Sequence, residues 1–337
     1  MSRAVIIAEA GVNHNGNIEA ALRLVERAAE IGADCVKFQT FKTEENITHA
    51  APKAAYQLLV TDALESQFDM IKRLELGYAD FAAIKQRCDE CGIAFMSTPY
   101  SPGDVDLLVE IGVDRFKVAS AQLVETQFLR YVANTGKQVI VSTGMGNMDD
   151  VREAVNTIRA TGNEDIVVLQ CNTDYPSKLD DANIRAMVTM RDELGVRVGY
   201  SDHVQSNLAC FAAIALGAEI IEKHFTLDRE QVGPDHSSSL DPAEFRELIV
   251  GVRDIERSLG DGIKRPSDSE LKNMYAMRRS LVATSDLPAG TILSAAHLGT
   301  KRPANGLPPR MLDQVVGRRL KVDLRQDQPL TLDAFAD

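Results

Sequence analysis

Long apolar runs are missing from this chain of 337 residues. The longest, Leu208 to Ala218, falls well short of the roughly 20 residues a spanning helix needs. The start, Met1-Ser2-Arg3-Ala4-Val5-Ile6-Ile7-Ala8-Glu9, reaches a carboxylate after too short an apolar stretch for a signal peptide. These two absences predict a soluble, cytoplasmic protein with no membrane partner. Cysteine is scarce: five residues, an odd number at scattered spacings, suit reduced thiols better than a disulfide framework. Cys88 and Cys91 form one Cys-x-x-Cys without a second pair, at the end of a helical pattern that Gly92 would cap, and read as structural. Basic charge is in deficit. With 37 Lys and Arg against 49 Asp and Glu, the net charge of −12 argues against nucleic acid as a partner and makes any anion site local. Solenoid repeats and low-complexity segments are also lacking.

What is present is alternation. Short β-branched runs at Ala4–Ala8, Cys35–Gln39, Ile93–Ser97, Arg115–Val118, Gln138–Val141, Ile166–Gln170, Arg197–Tyr200 and Glu219–Lys223 are separated by segments of helical period. The helical segments include Ile18–Ile31, Tyr78–Cys91, Asp149–Thr161, Asn207–Leu216 and Pro242–Leu259. Eight such units in order predict an α/β chain folded as a (β/α)8 TIM barrel, a fold of roughly 250 residues. Turn formers replace the apolar periodicity from Gly260 to Ser267. The expected organisation is a barrel over 1–262, a linker over 263–277 and a small β-rich domain over 278–337, with one short helix near Met311–Val315. So small a module has little core of its own and is expected to pack on something.

In a barrel, the C-terminal ends of the strands face the active site. Those ends supply Glu9, Lys37 and Gln39, Thr98, Lys117 and Ser120, Ser142, Asn172 to Tyr175, Ser201 and His203, and Lys223 and His224. Packing explains one or two such groups but not a polar residue from every strand, because buried charges are costly unless paired. Each lysine singly reads as a snorkelling or salt-bridged side chain. Lys37 and Lys117 together with Thr98, Ser120, Ser142 and Ser201 read instead as a cradle for a compact polyanion such as a carboxylate plus a phosphate. The turn Ser142-Thr143-Gly144-Met145-Gly146 offers backbone amides for phosphate oxygens, a weak signal alone.

His203 and His224 close two successive strands and would project from one rim. Either alone reads as a satisfied polar residue; as a pair they could share a metal whose other ligands are water or substrate oxygens, which suits Mn²⁺ or Mg²⁺ better than a closed zinc site. Glu9 reads equally as a partner of a rim lysine and as a general acid/base. His14 sits in a loop and reads as structural; Asp235, in Gly233-Pro234-Asp235-His236, is an ordinary loop aspartate unless substrate hydroxyls reach it.

Several segments in order resemble the bacterial N-acetylneuraminate (sialic acid) synthases and their legionaminic acid relatives. They are Ala8-Glu9-Ala10-Gly11-Val12-Asn13-His14-Asn15-Gly16, Val36-Lys37-Phe38-Gln39-Thr40-Phe41, Glu65-Ser66-Gln67, Ser97-Thr98-Pro99-Tyr100, Ser142-Thr143-Gly144-Met145, Tyr200-Ser201-Asp202-His203, Glu222-Lys223-His224-Phe225-Thr226, Gly233-Pro234-Asp235-His236 and Lys301-Arg302-Pro303-Ala304-Asn305-Gly306. The last 60 or so residues resemble the antifreeze-like (SAF) domain of the same enzymes.

The resemblance implies a condensation of phosphoenolpyruvate with an N-acylated mannosamine-type sugar. His203 and His224 would carry Mn²⁺ or Mg²⁺; Lys37, Thr98, Lys117, Ser120, Ser142 and Ser201 would hold phosphoenolpyruvate; Glu9 would move a proton or place water; Gln39, Tyr175 and Asp235 would contact the sugar. It also implies a domain-swapped homodimer in which Arg302 enters the partner's site; without the resemblance Arg302 reads as a surface cation. Two departures bear on the sugar: Gln122 stands where the family often has an acidic residue, and a family asparagine after the second strand has no clear counterpart, Val60, Thr61 and Asp62 being nearest. The competing readings are another phosphoenolpyruvate-dependent aldol-type synthase, which would need a second phosphate clamp, and a non-catalytic sugar- or anion-binding barrel, which need not keep Glu9, both histidines and both lysines.

Overall fold

Aliphatic runs too short for a helix, each bounded by turn formers, pair as strands because their backbone groups must find partners once buried. The computed structural model describes residues 3–62 and 64–335 and divides into two units, Met1–Gly260 and Asp261–Asp337. The first holds eight parallel strands: β1 (Val5–Gly11), β2 (Cys35–Thr40), β3 (Ala94–Pro99), β4 (Arg115–Val118), β5 (Gln138–Ser142), β6 (Ile166–Cys171), β7 (Arg197–Asp202) and β8 (Ile220–His224). They are hydrogen-bonded in the order β3-β2-β1-β8-β7-β6-β5-β4, and the end strands β3 and β4 lie against each other to close the ring. This is the expected (β/α)8 barrel. Most strands run one to three residues further than the apolar pattern indicates, because ladder bonds continue through polar residues whose side chains point into the barrel.

The helices Ile18–Ile31, Tyr78–Cys91 and Pro242–Leu259 have the expected bounds. Their ends carry the sequence signals: Asn17 accepts from Ala20 N, Gly32 and Gly92 turn left-handed at φ 88° and 68°, and Asp241 precedes Pro242. All five cysteines are free thiols. Between β2 and β3 the chain makes a long excursion through the short helices Thr43–Asn46, Ala55–Val60 and Gln67–Leu74 before Tyr78–Cys91.

Strand alternation divides the interior. Outward residues such as Val36, Phe116, Val168 and Val198 join the helices in one large apolar layer. Inward residues Ile7, Cys35, Met96, Ile140, Val167, Leu169 and Ile220 pack a separate cluster inside the ring. That inner cluster is a floor, and on β1, β2, β3, β5 and β8 the polar residues Glu9, Lys37, Thr98, Ser142 and Glu222, two positions further along, stand on it.

In the second unit, Ser280–Ala283 (β9) and Leu298–Lys301 (β10) pair antiparallel. Leu281, Leu287, Leu293, Leu298, Leu307, Val315, Leu320, Leu324, Leu330 and Phe335 form its own core. A short helix, Leu312–Val315, lies where one is expected. The stretch read as linker carries the helix Asp268–Met277, which buries no residue.

Gly199 on β7 tests the packing of the inner floor, since a Cβ there would fall 2.5 Å from the Ile220 carbonyl oxygen and 2.7 Å from Leu169 Cδ2. Gly199→Ala is expected to lower unfolding free energy by about 1–3 kcal/mol, read as a lower denaturant midpoint; an unchanged midpoint would show that the floor yields.

Candidate active site

Above the apolar floor lies a cavity of about 240 Å³ lined by groups from all eight strands and their following loops. Glu9, Lys37, Gln39, Thr98, Lys117, Ser120, Ser142, Tyr175, Ser201, His203, His224 and Asp235 all line it. Arg302 is exposed in the second unit, in the turn after β10.

Four buried charges occupy the deepest part. Lys37 Nζ lies 2.7 Å from Glu9 Oε2, 3.1 Å from Thr98 Oγ1 and 3.7 Å from Glu222 Oε1. Lys117 Nζ lies 3.4 Å from the same Glu222 oxygen, to which Ser201 donates at 3.1 Å. Glu222 thus bridges both ammonium groups. Burial alone would raise its carboxyl, but Lys117 and Lys37 bring it down to about 2. Glu9 goes the other way: burial pushes it up to about 7, aided by repulsion from Glu222 and only partly opposed by Lys37. Gln39 donates to Glu9 Oε1 at 3.4 Å and accepts from Tyr100 OH at 3.3 Å. Ser142 Oγ is buried without a partner, a donor facing the cavity.

The two imidazoles stand 5.2 Å apart, centroid to centroid. His203 Nδ1 is 2.6 Å from the Asn172 carbonyl oxygen, and although burial would lower the pKa of this ring, the hydrogen-bonded Cys171 thiol and that carbonyl raise it. His224 Nδ1 is buried and unpartnered, and burial together with the nearby His203 and Lys37 holds that ring well below its ordinary pKa. A neutral imidazole with an orphaned nitrogen is the form that coordinates a cation. Among the described residues no group of three or more His, Cys, Asp and Glu gathers to hold a metal. A divalent cation bound between these two rings would take two protein nitrogens and leave the rest of its sphere to water or substrate oxygens, unlike a closed structural site. Asp235 Oδ2 lies 3.9 Å from His224 Nδ1, and burial raises its carboxyl to about 6.

Toward the mouth the lining turns apolar. Val12, Phe41, Ile71 and Tyr100 pack with Leu74 into a small cluster and form one wall. Tyr175, joined to Pro176 by a cis peptide bond, also lines the cavity and lies 4.1 Å from the His203 ring and 4.9 Å from Tyr56, centroid to centroid. Lys37 and Lys117 are the only lysines among the described lining residues, and no arginine is among them.

Sequence reading misplaces Lys223. It points away from the cavity into the strand–helix layer, where it pairs with Asp202, and Glu222 takes the inward position. Period-two counting back from His224 would have found this, because 222 and 224 share a face and 223 does not. Asn172 contributes its carbonyl to His203 rather than its side chain to the cavity. His14 also lies outside, buried, accepting from Gly16 N. The residues that sequence reading missed are Asn46, Tyr56, Gln57 and Ile71 from the β2–β3 excursion, with Val12, Phe41, Tyr100 and Cys171. Asn46, at the end of the short helix Thr43–Asn46 after the second strand, lines the cavity.

Residues 24–264 match the NeuB family and residues 278–336 match the SAF domain. The chain is 42% identical over 330 residues to the N,N'-diacetyllegionaminic acid synthase of Campylobacter jejuni, covering 97% of this chain and 99% of that protein. It is 40% identical over 323 residues to the N,N'-diacetyllegionaminic acid synthase of Legionella pneumophila, covering 95% and 91% respectively. A solved structure of the N-acetylneuraminic acid synthetase of Leptospira borgpetersenii in complex with citrate superposes with a TM-score of 0.72 at 32% identity, over 81% of this chain and 90% of that one.

The raised Glu9 carboxyl predicts a pH-dependent stability. Unfolded, it releases its proton near 4.5; folded, near 7. Between those values the folded state binds more protons, so the Glu9 contribution falls as pH rises. Glu9→Gln removes that titration, and the loss of stability between pH 5 and pH 7.5, measured by denaturant unfolding, is expected to be smaller than in the wild type. Equal losses in both proteins would contradict the shift.

Proposed function

The chain belongs to the NeuB family and ends in a SAF domain, and on that premise we propose that it joins phosphoenolpyruvate to an N-acylated mannosamine-type aldehyde, releasing inorganic phosphate and a nonulosonic acid. The observation that carries this reading is the stacking of two ammonium groups and several hydroxyls directly beneath a pair of imidazoles, of which His224 is held in the neutral form. In the proposed arrangement Lys37 and Thr98 hold the carboxylate of phosphoenolpyruvate, and Lys117, Ser120, Ser142 and Ser201 surround its phosphate. His203 and His224 hold Mn²⁺ or Mg²⁺, which when bound withdraws electron density from a carbonyl oxygen.

The enol C3 attacks the aldehyde carbon, water adds to C2, and phosphate leaves by cleavage of its C–O bond. Glu9 is the residue to move or place the proton of that water, since a carboxyl titrating near 7 both gives and takes protons at neutral pH. Its protonation also frees Lys37 for the substrate, because the four deep charges otherwise sum to zero. Gln39, Tyr175 and Asp235 contact the sugar. The apolar wall of Val12, Phe41, Ile71 and Tyr100, in a mouth without cations, favours an acceptor whose far end is a methyl group over one ending in a hydroxymethyl or a phosphate.

The proposed division of labour is a catalytic barrel over 1–262, a connector over 263–277 and a SAF lid over 278–337. In the proposed domain-swapped homodimer, Arg302 closes the partner's site. The helix Asp268–Met277 supports a surface meant for covering, as it exposes Leu271, Tyr275 and Met277. We place the protein in the cytoplasm with its phosphorylated substrate; none of the described helices is long and apolar enough to cross a membrane.

Phosphate release from phosphoenolpyruvate with Mn²⁺ tests the reading. The expected order of kcat/KM is 2,4-diacetamido-2,4,6-trideoxymannose, then N-acetylmannosamine, with N-acetylmannosamine 6-phosphate inert; no turnover with any of the three would overturn the proposal. Mixing Arg302→Ala with Glu9→Ala subunits is expected to restore one competent site per heterodimer. Failure to recover activity, with subunit exchange verified, would refute the swap.

A further inference from the structure

The ion pair of Lys223 with Asp202 lies outside the cavity, yet each member is the chain neighbour of one imidazole. Both side chains are buried, at 2% and 0% exposure, on the outward face of β7 and β8 among the apolar side chains that meet the helices. Two full charges there carry a desolvation cost that apolar residues of similar volume would not. Barrel stability alone therefore gives no reason for them.

Their bonds give one. The Lys223 ammonium donates to Asp202 Oδ2, to the Val204 carbonyl and, at 3.1 Å, to the Ser206 carbonyl. It thus grips the chain on both sides of His203, from the residue that immediately precedes His224. Asp202 Oδ1 accepts from Val204 N and Tyr200 OH, each at 2.9 Å, and its Oδ2 accepts from Cys210 Sγ at 3.1 Å. Every oxygen and every ammonium proton of the pair is engaged, and the carbonyl of His203 is itself held by Ser177 N at 2.9 Å. The turn after β7, which carries His203, is tied to β8, which carries His224.

We propose that Asp202 and Lys223 are positioning residues that set the spacing and orientation of His203 and His224 as ligands of a divalent cation, acting from behind the barrel wall. This rests on the metal reading of the two histidines. Groups that orient a ligand without touching the metal typically alter affinity by about 10–100-fold when removed.

Mn²⁺ binding to the full-length protein, followed by the loss of the free-ion paramagnetic resonance signal, tests it in the wild type, His224→Ala, Asp202→Asn and the double variant Asp202→Leu with Lys223→Met. The double variant removes both charges together, so no unpaired ion is left in the apolar layer; Asp202→Asn keeps the volume and an acceptor for Val204 N should the double variant fail to fold. The expected result is Mn²⁺ affinity weakened about 10–100-fold, with the KM for phosphoenolpyruvate at saturating Mn²⁺ within about threefold of wild type. Mn²⁺ affinity within about threefold of wild type in a folded variant would overturn the proposal, as would a parallel collapse of both parameters, the mark of a general structural role. Wild-type Mn²⁺ binding that survives His224→Ala would instead remove the metal reading on which the proposal stands.

Discussion

Two ammonium groups and two carboxylates meet inside the barrel, with Glu222 bridging Lys37 and Lys117 while Glu9 holds Lys37 from the other side. None of the four is tolerable alone at that depth, since an unpaired buried charge costs several kcal/mol. They come from β1, β2, β4 and β8, so their mutual neutralisation requires strands that are distant in the chain to stand around one ring. Closure of the barrel and assembly of the site are in this sense the same event. Neutrality also sets the chemistry: Glu222 stays ionised because it serves two cations, whereas Glu9 shares one and is pushed toward neutral pH.

The layers above and below follow from the two-residue period of the strands. Ile7, Cys35, Ile140 and Ile220 belong to the dry floor, and the next inward residues are Glu9, Lys37, Ser142 and Glu222. One further step brings Gln39, His203 and His224, and beyond them stand Val12, Phe41 and Tyr100 at the apolar mouth. Polarity is thus graded along the barrel axis, from charged interior to apolar rim. A small molecule with an anionic end and a carbonyl would have one orientation in which each part meets its complement.

Much of this was legible from local pattern. The eight strands, the capped helices Ile18–Ile31 and Pro242–Leu259, and the lysines, serines and histidines of the rim follow from short-range periodicity and turn residues. Glu222 is legible too, since it shares a face with His224 and Lys223 does not, and an error of one residue exchanges a cavity group for one on the far side of the strand. Asn46 and Tyr56 were not legible. They lie on short helices in the β2–β3 excursion, where no period extends far enough to indicate which side chains turn back over the cavity. The role of Asp202 was equally hidden, because its meaning depends on Lys223, 21 residues away, standing opposite it.

By itself the sequence determined what depends on near neighbours: which segments become strands or helices, where glycines and caps end them, and which residues alternate to one face. Those are properties of a few consecutive dihedrals and of side-chain period. Only the tertiary structure decided which charges meet, which imidazole nitrogen is left free, and which polar pair lies behind the wall rather than inside it. These depend on the register between strands and on ring closure, and each is set by many distant contacts at once. Hence the candidate residues could be named from the chain, while their pKa shifts, partners and division into contacting and positioning groups required the closed barrel.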